Sequence, residues 1–170
     1  FKQKTAYEML RSLVGSEMCI RDRGIIHKIC RIYTTDSDAH KDLFQEITIQ
    51  LWKNYSTFRG DSKFSTWMYR VALNTAISLY RKSSKRIKTE DYSDIEYKIQ
   101  SVEYDDNQEL QLKALYAAIH QLNDIDKALI FLYLEDKSFK EIAITLGISD
   151  INARVKMNRA KEKLRTILLS

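Results

Sequence analysis

The sequence predicts an all-α protein, built from two small helical domains joined by a flexible acidic linker. Three observations predict it. Apolar residues recur at three- and four-residue spacing over most of the chain, the period of a helix with one buried face. The 170 residues include no proline and 4 glycines, too few for a turn-dense β architecture. Charge is also unevenly spread: residues 1–86 hold 16 basic and 8 acidic groups, residues 87–110 hold 2 and 8, and residues 111–170 hold 10 and 7. The middle stretch carries Glu90, Asp91, Asp94, Glu96, Glu103, Asp105, Asp106 and Glu109 among scattered apolar residues. It reads as a solvated linker, 87–110, between modules at 24–86 and 111–170.

Composition excludes several classes. With 44% hydrophobic and 30% charged residues, the chain can bury a core and is not a disordered polyion. It has no run of about 18 apolar residues, so membrane insertion is not expected. Cys19 and Cys30 are too few for a disulfide scaffold or a four-ligand zinc site, which points to a reduced, cytoplasmic protein. A net charge of +5 suits a polyanion partner. The chain begins at Phe1 and reads as a fragment. Residues 1–23, with Ser12–Arg23 in the manner of a translated cloning adapter, are set aside as non-native. The alternative for them is a short native helix with a basic end; they lack the apolar core of a signal peptide.

The first module opens with a helix in which Ile25, Ile29, Ile32 and Tyr33 share a face. Polar residues from Thr34 to Asp38 break it. A second helix from about Ala39 to Tyr55 presents Leu43, Ile47 and Leu51, flanked by Phe44 and Trp52. The loop Phe58–Ser62 turns at Gly60, and Asp61 or Ser62 can cap a third helix from Lys63 to about Ser83. Its expected buried stripe is Phe64, Trp67, Met68, Val71, Thr75 and Leu79, and Arg81–Arg86 closes it with a basic run.

In the second module, Leu112, Leu115, Ile119 and Leu122 define a helix that stops near Asn123. Ala128, Leu129, Phe131, Leu132 and Leu134 define another, ending at Glu135–Lys137. Ser138 and Glu141 form a capping box that opens a short helix. Gly147 supplies a left-handed end to it, Ile148 plugs the core, and Ser149 caps a last helix from Asp150 to about Leu169. The last two make a helix-turn-helix.

Two sets of motifs carry a resemblance. Asp42-Leu-Phe-Gln-Glu46, Leu51-Trp52, the run from Phe58 to Asn74, and Arg81 are similar to region 2 of extracytoplasmic-function (ECF) sigma factors, small members of the sigma-70 family. Lys140-Glu-Ile-Ala, Leu-Gly-Ile-Ser149 and the run from Arg154 to Arg165 are similar to region 4. The resemblance implies a non-enzymatic factor, without metal or cofactor, that binds core RNA polymerase and directs it to promoter DNA. Its implied polymerase contacts are the β′ clamp helices and the β flap; an anti-sigma factor is a further implied partner. Asp42, Gln45 and Glu46 map onto the motif that meets the clamp helices, and one turn of helix brings them together as acidic and amide acceptors. An N-terminal preference for acids is the alternative account of Asp42.

The same resemblance places an unpaired-base pocket for the minus-ten element at Asn54, Phe58, Val71 and Asn74, with Arg59, Lys63, Arg70 and Arg81 beside it for phosphates. An aromatic face and amide edges beside positive charge are what single-stranded recognition needs. Val71 and Asn74 as ordinary helix residues remain the alternative. In region 4 the alignment turns Ala153, Met157, Ala160 and Leu164 inward, at helical spacing. That leaves Ile151, Asn152, Arg154, Val155, Lys156 and Arg159 outward to read the minus-35 element in a major groove. Asn152 suits adenine, Arg154 or Lys156 guanine, and Val155 a thymine methyl. Arg159, Lys161 and Lys163 are assigned to phosphate or solvent. The family often has Thr-Val where this chain has Asn152-Ala153.

Two other readings compete. A helix-turn-helix regulator that never touches polymerase would need only the second module. A small helical metal-dependent enzyme would use Asp36, Asp38 and Asp42, acids that more simply favour a helix start. His27, His40 and His120 lack ligand spacing with the cysteines. No phosphate loop or nucleophile motif is present.

Overall fold

A computed structural model describes the backbone over residues 17–87 and 106–169, and side-chain burial over 23–82 and 111–169. Residues 1–16 and 88–105, which hold the first part of the adapter-like stretch and most of the acidic linker, lie outside the described residues. The described residues form seven α-helices and one 3-10 turn, with no strand. They fall into two compact units, one ending at Ala76 and the other beginning at Ile77.

In the first unit, α1 (Glu17–Tyr33) begins within the stretch set aside as non-native. It buries Ile25, Ile26, Ile29, Cys30, Ile32 and Tyr33. Thr34 closes it, its N–H and its hydroxyl both donating to the Cys30 carbonyl, at 2.9 and 2.7 Å. Helix α2 (Ser37–Asn54) packs on α1 through Leu43, Ile47 and Leu51. Its cap is Asp36, whose carboxylate accepts the N–H groups of Asp38 and Ala39 at 3.0 and 2.7 Å, a bond worth about 1 kcal/mol. The carboxylate offered as a metal ligand is therefore occupied in starting a helix. A 3-10 turn, Tyr55–Thr57, follows, and the chain reverses near Gly60, whose φ of 78° is left-handed.

Helix α3 (Phe64–Ile87) crosses the boundary between the units. The N–H groups of Thr66 and Trp67 bond to the Lys63 carbonyl, so Lys63, not Asp61 or Ser62, stands just before the helix. Its buried side chains are Met68, Tyr69, Ala72, Leu73, Ala76 and Ile77. Of the expected stripe only Met68 is buried; Phe64, Trp67, Val71, Thr75 and Leu79 are half-buried. Two apolar stripes run along this helix, and the core took the one with smaller residues, Ala72 and Ala76, which permit close approach between helices.

In the second unit, α4 (Asp106–His120) begins within the acidic stretch. It buries Ala118 and Ile119, with Leu122 just beyond its end, while Leu112 is exposed. Helix α5 (Asp124–Leu134) is capped by Asn123, which accepts the Asp126 N–H at 2.8 Å. It is buried continuously from Asp126 to Leu132. Helix α6 (Phe139–Leu146) opens on the capping box: the Glu141 N–H donates to Ser138 Oγ at 3.3 Å and the Ser138 N–H to Glu141 Oε2 at 2.9 Å. It ends at Gly147, with φ 67°. Ile148 is half-buried rather than a core plug. Helix α7 (Asp150–Leu169) starts at Ser149, whose Oγ accepts the Asn152 N–H at 3.2 Å. It packs against α4, α5 and α6 through Ala153, Met157 and Ala160, all fully buried; Leu164 is half-buried. Each fully buried large apolar side chain contributes about 1.5–3 kcal/mol.

Candidate nucleic-acid interface

Four aromatic rings meet where the 3-10 turn joins α3. Phe58 lies 5.6 Å from Phe64 and 5.5 Å from Trp67. Phe64 lies 5.4 Å from Trp67, and Tyr55 stands edge-on to Trp67 at 6.4 Å. All four are half-buried, so they keep ring surface available to a flat partner. Val71 and Asn74 continue the face along α3 at positions i+4 and i+7 from Trp67, Val71 half-buried and Asn74 exposed. Arg59, Lys63 and Arg70 are exposed around it. Phe64, Trp67 and Tyr55 were not among the sequence-derived site residues. Phe64 and Trp67 belong to the stripe that helical spacing assigns to the core, and Tyr55 closes the preceding helix.

Asn54 of the expected pocket and Arg81 expected beside it are engaged elsewhere. Asn54 turns its amide back on α2, Nδ2 donating to the Gln50 carbonyl at 2.8 Å, which leaves its amide oxygen as the group for a base edge. Arg81 belongs to the second unit, where its guanidinium is ion-paired with Asp124.

On α2, Asp42 and Gln45 are exposed and Glu46 is half-buried. Glu46 accepts a hydrogen bond from Gln50 Nε2 at 2.8 Å. The following turns add two exposed apolar residues, Ile49 at 42% and Trp52 at 49%. Trp52 therefore lies outside the core it was expected to flank. Acceptors followed by apolar surface suit a protein partner better than a polyanion.

On α7, Ile151, Asn152, Arg154, Val155 and Arg159 are exposed and Lys156 is half-buried. Ile151 is 76% exposed. Arg154 is tethered: its Nε donates to Asp150 Oδ2 at 3.2 Å and its guanidinium lies 4.6 Å from the Phe139 ring centroid. Further along, Lys163 bonds Asp126 Oδ2 at 2.6 Å and Lys161 sits 3.7 Å over the Tyr133 ring. These two lysines, expected to meet phosphate or solvent, also hold α7 to α5.

The shifted titratable groups have structural roles. Burial pushes the Cys30 thiol up to about 12, which keeps it protonated at neutral pH. Lys127, 1% exposed, is lowered to about 8 by burial, partly opposed by Asp124, and lies 4.4 Å from the Tyr80 ring centroid. His27 Nδ1 and His40 Nε2 share a hydrogen bond at 3.0 Å between α1 and α2. Burial, then nearby positive groups, lower both pKa values. Among the described residues, no group of three or more His, Cys, Asp or Glu is placed to hold a metal ion.

Comparison with known proteins decides the family. A family model described as Sigma-70 region 2 matches residues 20–86, and one described as Sigma-70, region 4 matches residues 112–164. The chain belongs to the sigma-70 family. Its relatives place it in the ECF group. It is 28% identical over 134 residues to the ECF RNA polymerase sigma-E factor of Haemophilus influenzae, covering 72% of this chain and 71% of that one. It is 28% identical over 137 residues to the ECF RNA polymerase sigma factor SigX of Bacillus subtilis, covering 76% and 71%. In fold it is similar to the sigma factor RpoE of Bartonella quintana, solved with the anti-sigma factor NepR, with a TM-score of 0.74 and 19% identity over 95% of this chain and 96% of that one. As an ECF sigma factor, the chain has core RNA polymerase and promoter DNA as its partners, and transcription initiation as its function. No helix among the described residues is long and apolar enough to cross a membrane.

Proposed function

We propose that this sigma factor divides its work among three surfaces, carried by modules at about 24–86 and 111–170 on either side of the acidic segment. The Phe58–Phe64–Trp67 corner, with Asn54, Val71 and Asn74, receives an unpaired base of the minus-ten element. Arg59, Lys63 and Arg70 hold the strand. The observation that supports this most is the half-exposed aromatic cluster: large rings left short of full burial beside cations are the stacking platform that single strands use. Asp42, Gln45 and Glu46, extended by Ile49 and Trp52, dock on the β′ clamp helices, and the second module meets the β flap. Helix α7 reads the minus-35 element through Ile151, Asn152, Arg154, Val155, Lys156 and Arg159.

The protein acts in the cytoplasm as a non-enzymatic factor. Ser138 and Glu141, a hydroxyl beside a carboxylate, are already paired as a helix cap, which argues against reading them as a nucleophile and base. The complexed state of its structural relative supports an anti-sigma factor as a further partner. Run-off transcription with core enzyme and a pooled promoter library tests the whole assignment. The wild type gives discrete starts, and reversing charge at Asp42 and Glu46 abolishes them with the fold intact. Full activity of that folded double variant refutes the polymerase surface; no transcript from wild type refutes the assignment.

A further inference from the structure

Arg154 is restrained from two sides by groups of different kinds. The Phe139 ring, at the first residue of α6, lies 4.6 Å from the guanidinium carbon and limits the tilt of the guanidinium plane. Asp150, one turn earlier in α7, takes the Nε–H at 3.2 Å and limits rotation within that plane. The other carboxylate oxygen of Asp150 is buried and accepts no hydrogen bond among the described residues, so the ion pair with Arg154 is the contact that side chain makes. With Nε occupied, the N–H groups left to Arg154 are on its two terminal nitrogens. A guanine edge, with O6 and N7 as adjacent acceptors, takes two parallel N–H donors. The terminal pair meets it end-on.

We propose that Asp150 is a specificity-positioning residue, which together with Phe139 presents Arg154 end-on to a guanine of the upstream promoter element. The proposal rests on the reading of α7 as the recognition helix. It has a consequence that a stabilising role for Asp150 lacks. A carboxylate at the start of this helix repels phosphate, so removing it leaves affinity for unrelated DNA unchanged or raises it. Discrimination falls at the same time, because Arg154 is released to many rotamers. A damaged helix would lose both together.

The test is a base-substitution scan of the upstream element with reconstituted holoenzyme at fixed salt, reading relative affinity for each base and for an unrelated duplex. The variants are Arg154→Ala, Asp150→Ala, Asp150→Glu, Phe139→Leu and the double Asp150→Ala/Arg154→Ala. Arg154→Ala flattens the preference at one base pair. Asp150→Ala flattens the same base pair by about 2- to 10-fold, the worth of one ordinary hydrogen bond, without weakening binding to the unrelated duplex. Phe139→Leu acts in the same direction, Asp150→Glu restores most of the preference, and the double variant is no flatter than Arg154→Ala alone. If Arg154→Ala flattens a base pair and Asp150→Ala does not, or if Asp150→Ala weakens all sequences alike, the positioning role is overturned and the reading of α7 stands. If Arg154→Ala flattens no base pair, both fall.

Discussion

Phe58 is the residue at which the aromatic corner can be tested most cleanly. Its ring makes two aromatic contacts, at 5.6 Å to Phe64 and 5.5 Å to Trp67. Each such pair is worth about 0.5–1.5 kcal/mol beyond the area it buries, so Phe58→Ala should lower the stability of the first unit by at least roughly 1–3 kcal/mol. Loss of one base stacked on a ring costs about 1–3 kcal/mol of binding, or roughly 5- to 150-fold. The two effects overlap in size but differ in scope. Lost stability weakens every activity of the protein, whereas lost stacking is confined to DNA with an unpaired base at the minus-ten element. Phe58→Leu separates them, since it keeps apolar bulk against Phe64 and Trp67 and removes the flat face. The assay is competition binding of holoenzyme to a fork-junction DNA with unpaired minus-ten bases, against a matched duplex lacking that segment. Phe58→Leu should lose affinity for the fork at least fivefold and keep its affinity for the duplex, with a stability loss no larger than the roughly 1–3 kcal/mol of the two ring contacts. Wild-type affinity for the fork, or an equal loss on both DNAs, would refute the stacking role.

Three further predictions concern stability. Lys127 has a folded pKa near 8 against an ordinary value near 10.4, so the unfolded chain binds more protons between those values and stability should rise with pH across that window. Lys127→Met should remove that rise, as read by denaturant unfolding followed by circular dichroism across pH 7–11; an unchanged slope would mean Lys127 is not the titrating group. The lowered His27 and His40 pKa values act on the acid side: the unfolded imidazoles take protons near pH 6.5 while the folded pair resists, so stability is held above that pH and falls below it. His40→Gln should shrink the loss between pH 7 and pH 5, and an acid sensitivity equal to wild type would exclude the pair as its source. Ser138→Ala removes the α6 cap and should cost about 1 kcal/mol in thermal unfolding; no shift in Tm would show that the capping bonds contribute nothing net.

Local order was legible in the sequence because its causes are local. Helical spacing located the helices, Ser138 with Glu141 marked the start of α6, and Gly147 marked its end at φ 67°. The inward positions Ala153, Met157 and Ala160 followed from the resemblance to region 4 with helical spacing as a check, and with them the outward face of α7; Leu164, placed inward with them, is half-buried. Spacing does not choose between two apolar stripes on one helix, nor name a charged residue's partner. On α3 both stripes were apolar. The one packed inside carries Ala72 and Ala76, which leaves Phe64, Trp67 and Val71 half-exposed as the candidate strand platform. Lys163 finds Asp126 across 37 residues and Arg81 finds Asp124 across 43. Lys127 is buried and the two histidines meet only when separate helices pack. These were decided by tertiary structure, since helix period acts over a few residues while burial and charge pairing depend on which distant segments the core brings into contact.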